Sequence, residues 1–305
     1  MGAPATFQPE PALAAGARAS GLRQTLADYV SLTKPKVQSL LLLTTVTTMF
    51  VAGDPPLALV FWTVLGGSLA SGGAGAVNHW YDRDIDAQMP RTAGRPVPAG
   101  RIAPSAALRF GIALGALSFV QLTLTVNLLA ASLALLGFLG YVFVYTLWLK
   151  RTTPQNIVIG GAAGAVPPLV AWAAVTGRLE LTALYLFAIV FYWTPPHFWA
   201  LSLLMKDEYA RVGVPMMPVV RGEEETRALI LLYTVLLVAL TLMPVVFGYF
   251  GLVYGVAAVG LGGAFLGLTL RLFREGGRRA ALRAYLFSLA YLALLFCAMV
   301  LDARL

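Results

Sequence analysis

Charged side chains are scarce in this sequence. They make up 12% of the 305 residues, and hydrophobic residues make up 59%, whereas a soluble globular domain has about 25% charged residues. The composition therefore predicts a membrane protein. The net charge of +8 would suit a nucleic-acid-binding protein, but the sequence has no nucleic-acid motif, so the position of the charges matters more than their sum.

Cysteine and histidine are almost missing as well. Cys297 is the single cysteine in the sequence, which excludes an intramolecular disulfide, and its place inside the last apolar run is typical of a small packing residue. The two histidines are His79 and His197. One cysteine and two histidines are too few for a Cys/His metal cluster. The sequence also shows no Ser/His/Asp arrangement.

Residues 1–24 lack the apolar segment of a cleaved signal peptide and are rich in Ala, Pro and Gly. We interpret them as a disordered tail. Arg18 and Arg23 with few acids would suit a mitochondrial transit peptide, but Glu10, the prolines and the absence of amphipathic periodicity argue against it. Residues 25–305 are then a single transmembrane domain.

Long apolar stretches fill that domain, and each approaches or exceeds the roughly 20 residues that span a bilayer as a helix. They predict an all-α, polytopic bundle of nine transmembrane helices. The approximate spans are 36–53, 57–80, 105–124, 128–148, 155–176, 181–204, 227–248, 250–270 and 282–301.

Lysine and arginine occupy alternate connections between these spans. All of them except Arg178 and Arg304 fall on one side, and positive residues accumulate on the cytoplasmic side of a membrane. The pattern predicts a cytoplasmic N-terminus, an outer C-terminus and two long cytoplasmic loops, about 81–104 and 205–226. A bacterial inner membrane is the expected location, and the mitochondrial inner membrane is the alternative.

Asn78, Asp82 and Asp86 follow the second apolar run at four-residue spacing. If the helix continues past the membrane, they lie along one face, with Asp84 roughly opposite. Like charges at this spacing repel each other unless a cation is bound. Hard oxygens suit Mg²⁺, which takes one or two carboxylates and completes its shell with water and phosphate oxygens. The row predicts a magnesium site for a phosphate-bearing substrate; a solvated helix end is the alternative.

Fixed cations accompany these acids. Arg91 and Arg95 lie in a loop framed by Pro and Gly, and arginine matches the geometry of phosphate oxygens. The second long loop begins with Lys206 and Asp207 and continues to Arg211. Both loops lie on one side of the membrane, so they predict a single polar site above an apolar bundle; an ordinary interfacial helix end with a snorkelling lysine is the alternative for the second.

His197 lies inside the sixth apolar span, directly after Pro195-Pro196, which should kink the helix. An ionisable residue within a span indicates function. Contact with a substrate or haem and a hydrogen-bonded core histidine both remain open for His197. The site of a flat aromatic ligand would be lined by Trp193, Phe198 and Trp199, although aromatic residues also occur at membrane interfaces. For His79, inside the Asn78–Asp86 stretch, a structural role and a functional one both remain open.

Glycine-rich runs occur within the apolar spans, at Gly66-Gly67, 72–75 and 160–164. Small residues at these places let transmembrane helices approach each other closely. We therefore interpret the runs as helix-packing positions, not as phosphate-binding loops.

Together these segments resemble the UbiA superfamily of intramembrane prenyltransferases, whose first signature is Asn-x-x-x-Asp-x-x-x-Asp. Longer segments resemble the branch of that superfamily that prenylates haem. They are Leu32-Thr-Lys34-Pro35, the stretch from Asn78 through Asp86, Met89, Arg91 and Arg95 to Pro96, Trp193-Thr-Pro-Pro-His197-Phe-Trp199, and Lys206, Tyr209, Gly213, Pro215, Met216 and Pro218. The second loop departs from the general pattern, since Asp207 and Arg211 stand where many members have a second pair of aspartates.

The resemblance implies a bundle of nine transmembrane helices whose central cavity is capped by the two cytoplasmic loops. It implies transfer of a farnesyl group from farnesyl diphosphate to a vinyl group of haem b, which is a substrate and not a permanent cofactor, giving haem O. Other aromatic or tetrapyrrole acceptors are the alternative, and a cation-coupled transporter is a remote one. A downstream haem A synthase is the protein partner that such a product suggests.

The resemblance also implies roles for single residues. Mg²⁺ on the diphosphate is held by Asn78, Asp82 and Asp86. The leaving charge is stabilised by Arg91, Arg95, Lys206 and Arg211. Lys34 joins the anion site or meets haem propionates. The remaining substrate contacts are His197, Trp199, Asp207 and Tyr209.

Overall fold

Helices form all the regular structure in the part of the chain that the structure describes. This structure is a computed structural model, and it describes residues 21–305. The elements in chain order are α1 (Leu22–Leu32), α2 (Pro35–Ala52), α3 (Leu57–Tyr81), α4 (Arg83–Gln88), α5 (Pro104–Thr125), α6 (Leu128–Leu139), a π-helix (Gly140–Trp148), a 3₁₀ turn (Leu149–Arg151), α7 (Asn156–Ala165), α8 (Pro167–Thr176), α9 (Leu181–Leu204), α10 (Lys206–Arg211), α11 (Met217–Val220), α12 (Gly222–Val246), α13 (Leu252–Glu275) and α14 (Gly277–Asp302). The predicted all-α class is confirmed.

Eight helical segments within residues 21–305 are long and apolar enough to cross a membrane. They make this a multi-pass membrane protein. The sixth predicted span, α9, has 24 residues, but it is not among these eight, since Pro195, Pro196 and His197 lower the hydropathy of its second half. The predicted count of nine is therefore approximate: eight segments meet both the length and the hydropathy of a span, and α9 meets the length.

The last three predicted spans are extended by charged turns. Helix α12 begins at Gly222 and α14 at Gly277, both ahead of the predicted starts, and α13 runs on to Glu275. Ion pairs four residues apart stabilise such polar helical turns, and one of them joins Arg271 to Glu275 at 2.8 Å. Hydropathy alone cannot find these ends, because the added turns are polar.

Two predicted spans are not simple helices. The fourth passes from α6 into the π-helix and the 3₁₀ turn, and the fifth is divided into α7 and α8 at Val166. Pro167 and Pro168 explain the division, because proline has no N–H to continue the backbone ladder. Pro195 and Pro196, in contrast, lie within the continuous helix α9.

A short helix, α1, precedes the first span and was not predicted. It exposes Leu22, Leu26 and Val30 at four-residue spacing, a pattern typical of a helix lying in the membrane interface. On another face, Asp28 accepts hydrogen bonds from Arg101 at 3.0 and 3.1 Å. The predicted tail, residues 1–24, lies outside the described residues except for its last four, of which 22–24 belong to α1.

Close glycine contacts fix helix α3, as the sequence predicted. A Cβ atom on Gly73 would lie 2.6 Å from the carbonyl oxygen of Gly111 in α5. Two residues on, at about the opposite side of the helix, a Cβ on Gly75 would lie 3.1 Å from the carbonyl oxygen of Leu32. Helix α3 is thus held against α5 and against the α1–α2 turn, which fixes the position of the residues at its end.

The two predicted loops meet through apolar contacts. Ile85 and Met89 from the first loop are buried in the same cluster as Val214, Met216 and Met217 from the second. The second loop therefore packs beside the Asp-containing helix α4.

Candidate functional site

The row of Asn78, Asp82 and Asp86 continues past the end of helix α3. Asp82 lies at the junction between α3 and α4, yet its N–H donates to Asn78 O at 2.9 Å and the N–H of Asp86 donates to Asp82 O at 2.8 Å. The three residues are 3%, 0% and 3% exposed, whereas the side chain of Asp84 is 57% exposed. The predicted arrangement, with Asp84 on another face, is confirmed.

Lysine and arginine from the 3₁₀ turn neutralise the middle of this row. Lys150 donates to Asp82 Oδ2, and Arg151 lies 3.4 Å from Asp82 Oδ1. Arg151 also makes a bidentate contact with Asp84, at 2.7 and 2.8 Å. This hydrogen-bonded guanidinium lowers the pKa of Asp84 to about 2, so Asp84 is ionised throughout the physiological range.

Cations also contact both ends of the row. Arg95 Nη1 lies 2.7 Å from Asp86 Oδ2, and Lys34 Nζ donates to Asn78 Oδ1 at 2.5 Å. Protein cations therefore already offset the repulsion between Asp82 and Asp86. This repulsion therefore does not by itself require a metal, and the case for a metal site rests on the chemistry of the oxygens.

Lys34 has an unusual backbone. Within residues 21–305 it is the single residue other than glycine with a positive φ, at 54°, and the following Pro35 starts α2. Strained positions of this kind cluster at functional sites. Burial, reinforced by the nearby charges of Arg95 and Lys150, lowers the pKa of Lys34 to about 7, against the opposing effect of the row's carboxylates. The turn thus brings a partly desolvated amine to the row.

Sequence reasoning missed Lys150 and Arg151, which it counted only as loop charges. The π-helix delivers them, and Thr146 in the same segment accepts a hydrogen bond from Asn78 Nδ2 at 3.3 Å. π-Helices are rare and are frequently found at functional sites. A Lys-Arg pair directly after a long apolar run was the available signal, but its pairing with Asp82 depends on tertiary structure.

Among residues 21–305, the structure brings only part of the second loop toward this site. Tyr209 packs in the cluster that contains Ile85. Lys206 instead pairs with Glu223 at 3.1 Å, and together with Asp207 it lines a separate cavity of about 370 Å³ beside α12 and α14.

Arg91 and Arg211 are exposed. Within the described residues, neither forms an ion pair with the row. Of the two predicted loop arginines after the row, Arg95 alone contacts it directly.

His197 is both stacked and hydrogen-bonded. Its Nδ1 lies 2.7 Å from Ser288 Oγ, and its ring stacks on Trp193 and Tyr285 at centroid distances of 4.3 and 4.9 Å. Trp193 in turn donates to the carbonyl oxygen of Ser288 at 2.7 Å. The structure therefore shows a packed core environment for this histidine and defines an aromatic cluster around it.

The other two aromatic residues of that motif differ in their relation to this cluster. Phe198 is 37% exposed and its ring meets the His197 ring edge to face at 5.3 Å. Trp199 is 1% exposed and its indole meets Tyr233 edge to face at 5.2 Å. Of the three aromatic side chains predicted to form one wall, Trp193 and Phe198 therefore contact His197, and Trp199 packs elsewhere.

The oxygens of the row suit a hard divalent cation, although fewer carboxylates are present than in an all-protein metal site. No group of three or more His, Cys, Asp or Glu side chains that could hold a metal occurs within residues 21–305. Mg²⁺ characteristically uses one or two carboxylates together with phosphate oxygens and water. Asn78, Asp82 and Asp86 therefore fit a magnesium ion that arrives with a phosphate.

Comparison with known proteins agrees with this chemistry. Residues 41–296 match the UbiA prenyltransferase family. A protein of Roseiflexus sp. named "Protoheme IX farnesyltransferase" is 56% identical over 92% of the chain, which spans 53% of that protein. A protein of the same name from Symbiobacterium thermophilum is 54% identical over 92% of the chain and 95% of its own length. The chain thus spans about half the length of the first relative and nearly all of the second.

Solved structures share the fold. A digeranylgeranylglyceryl phosphate synthase superposes with a TM-score of 0.77 at 18% identity, over 92% of this chain and 100% of that one. A UbiA homologue from Archaeoglobus fulgidus, bound to GPP and Mg²⁺, gives a TM-score of 0.66 at 16% identity, over 89% of this chain and 99% of that one.

Proposed function

This chain belongs to the UbiA prenyltransferase family, and from that premise we propose that it transfers a farnesyl group from farnesyl diphosphate to a vinyl group of protohaem IX, giving haem O. The names of its relatives support the acceptor and the prenyl donor. The observation that carries the proposal is the buried row of Asn78, Asp82 and Asp86, contacted by Lys34, Arg95, Lys150 and Arg151.

Asn78, Asp82 and Asp86 would hold Mg²⁺ on the diphosphate. Their oxygens are of the type that this ion prefers, and the homologue from Archaeoglobus fulgidus is described with GPP and Mg²⁺. When bound, the ion supplies Lewis-acid stabilisation of the leaving oxygen. Lys34 and Lys150 contact the same oxygens in the structure, so we expect these amines to bind phosphate oxygens in the loaded enzyme.

The protein's own side chains contribute by stabilising the negative charge that develops on the diphosphate. The allylic C–O bond breaks heterolytically, leaving its electron pair on the diphosphate and an allylic carbocation on the farnesyl group. Arg95, Lys150 and Arg151 are already oriented by Asp82, Asp84 and Asp86, and preorganised charges of this kind stabilise developing negative charge without reorganisation. Arg91, Lys206 and Arg211 lie in the cytoplasmic loops, Lys206 paired with Glu223, and we propose that they turn to the diphosphate as additional anion contacts when the substrate binds.

Attack by the vinyl π-bond on the allylic carbon forms the new C–C bond and leaves a cation beside the porphyrin. Addition of water and loss of its proton then give the hydroxyethylfarnesyl group. For the haem we propose contacts with His197 and Trp199, and for the loop that closes the site, Asp207 and Tyr209. Residues that exclude water from the first cation must lie in the apolar bundle.

A haem contact at His197 can be measured directly. His197→Ala should weaken haem b binding and leave inorganic pyrophosphate binding unchanged, because the side chain lies in the aromatic cluster of α9 and not on the Asp row. Phe61→Ala, the loss of an exposed ring near the start of α3, is the control. Unaltered haem affinity in the His197 variant would assign this residue to packing alone.

Placement in the cell follows from the charge pattern. We propose a bacterial inner membrane with the N-terminus and the Asp row on the cytoplasmic side, since positive residues accumulate there. A haem A synthase is the proposed consumer of the product.

Product identification tests the function. Purified protein is incubated with farnesyl diphosphate, Mg²⁺ and either haem b or an aromatic acid, and the products are weighed by mass spectrometry. The proposal predicts farnesylated, hydrated haem. Prenylation of the aromatic acid alone would contradict the acceptor and retain the family chemistry.

A further inference from the structure

His79 is a buried histidine without a partner. It is 2% exposed, and both Nδ1 and Nε2 lack a hydrogen-bond partner among the residues that the structure describes. A neutral imidazole has one donor and one acceptor. Burying both without partners costs free energy, so an unpaired ring in the interior calls for an explanation. His197, the other histidine, differs because its ring is hydrogen-bonded.

The position of His79 brings it to the cationic side of the site. Gly72, Gly75 and His79 follow each other at three- and four-residue spacing and therefore share one face of α3. A Cβ on Gly75 would lie 3.6 Å from the side chain of Lys34, so this face packs on the turn that carries Lys34. One turn further on, His79 directly follows Asn78, which Lys34 contacts at 2.5 Å, and the charges of Lys34, Arg95 and Lys150 all act on its ring.

These three neighbours select the kind of group that can satisfy the ring. Lysine and arginine offer only donors, so none of them can accept a hydrogen bond from the imidazole N–H. An approaching cation would be repelled by the same side chains, whereas an anion with several oxygens can accept from the cations and from His79 together.

We propose that His79 donates a hydrogen bond from its neutral ring to an anionic oxygen of a substrate. The source of the oxygen is the diphosphate of the prenyl donor or a carboxylate of the acceptor. His79 is thereby a binding residue of the site, and no proton is transferred. This inference rests on the proposed function, which supplies the anionic substrate.

Affinity for inorganic pyrophosphate tests the inference on the full-length protein in detergent. His79→Leu should bind pyrophosphate, measured by calorimetry with Mg²⁺ present, about tenfold more weakly, the size expected for one hydrogen bond to a charged group. Gln places an N–H near the position of Nε2, and Asn places one near Nδ1. One of these two variants should stay within about threefold of the wild-type affinity.

Thr48→Val is the matched control. Thr48 is fully buried and its Oγ1 is also unpaired, but it lies about 21 Å along α2 from Lys34, at about 1.5 Å per residue. Its removal should leave pyrophosphate binding unchanged. Thermal unfolding supplies a second readout: His79→Leu should melt no lower than wild type, because replacing an unpaired polar group by an apolar one is neutral or stabilising.

Haem b binding separates the two sources. Weaker pyrophosphate binding in His79→Leu assigns the contact to the diphosphate, and weaker haem binding alone assigns it to a haem carboxylate. Wild-type affinity for both ligands would overturn the inference, as would failure of both Asn and Gln to restore binding. Failure of the proposed function has a different signature, namely wild-type protein that binds pyrophosphate through His79 and transfers no prenyl group to haem b.

Discussion

At the scale of single residues, charge balance distinguishes this site from an ordinary helix end. Asp82 and Asp86 are almost fully buried, and each touches a lysine or an arginine. Buried charges are costly unless they are paired. Because the pairing partners are also groups suited to phosphate, the fold already places the cations that the proposed diphosphate leaving group would need.

Lys150 gives the first prediction at this scale. Replacing it by methionine removes a cation that contacts Asp82, and we expect kcat/KM for farnesyl diphosphate to fall about 100-fold, as for loss of one preorganised charge stabiliser. Steady-state kinetics measure the change. Lys36→Met, an exposed lysine near the start of α2, is the control, and an unchanged kcat/KM in the Lys150 variant would remove this residue from the site.

Lys34 gives a second prediction, which separates backbone strain from chemistry. A left-handed conformation costs a residue other than glycine about 1–2 kcal/mol, so Lys34→Gly should be more stable than Lys34→Ala by about 1 kcal/mol. Thermal or denaturant unfolding in detergent measures the difference. Both variants should transfer farnesyl groups more slowly than wild type, because both lack the amine that contacts Asn78. Equal stability of the two variants would show that the turn is unstrained.

At the scale of elements, the π-helix between α6 and α7 positions the cations. Its Tyr145 packs directly against Gly160 of α7, where a Cβ atom would lie 2.5 Å from the ring. Helix α7 therefore supports the segment that carries Lys150 and Arg151 to the row. This close packing is possible because Gly160 has no side chain.

Gly160→Ala should disturb that support. Overpacking typically costs about 1–3 kcal/mol, and displacement of the π-helix should lower turnover as well as the melting temperature. Gly164→Ala is the matched control in the same helix, since nothing lies within 4 Å of its added Cβ; it should be neutral or stabilising, because alanine favours a helix by about 1 kcal/mol over glycine. Equal turnover in the two variants would contradict the proposed role of the packing.

The elements also show what the sequence can and cannot predict. Asn78, Asp82 and Asp86 were found because their spacing is a local property of the helix. The partnership of Lys150 with Asp82 was missed because it joins residues far apart in sequence, and hydropathy cannot reveal a π-helix. Lys206 was assigned to the same site from its place in a loop, whereas the folded loop turns it toward Glu223.

At the scale of the whole molecule, the two ends of helix α3 have different tasks. The row of acids and its cations lie at its C-terminal end. About 37 Å away, at about 1.5 Å per residue, Asp54 just before its start contacts Arg304 at the end of the chain. Nearby, Asp302 accepts a hydrogen bond from Gly251 N at 2.6 Å and holds the start of α13. The proposed diphosphate site and the contacts that hold the chain's C-terminal end thus lie at opposite ends of α3.

That separation suggests the most direct test of the proposed diphosphate site, which is the rate of farnesyl transfer by Asp82→Asn. Asparagine keeps the shape of the side chain and removes its charge, so we expect folded protein by size-exclusion chromatography and a loss of at least about 100-fold in kcat/KM. Asp54→Asn, the same change at the opposite end of α3, should transfer farnesyl groups at the wild-type rate. Wild-type turnover by Asp82→Asn would contradict the assignment of this row as the diphosphate site.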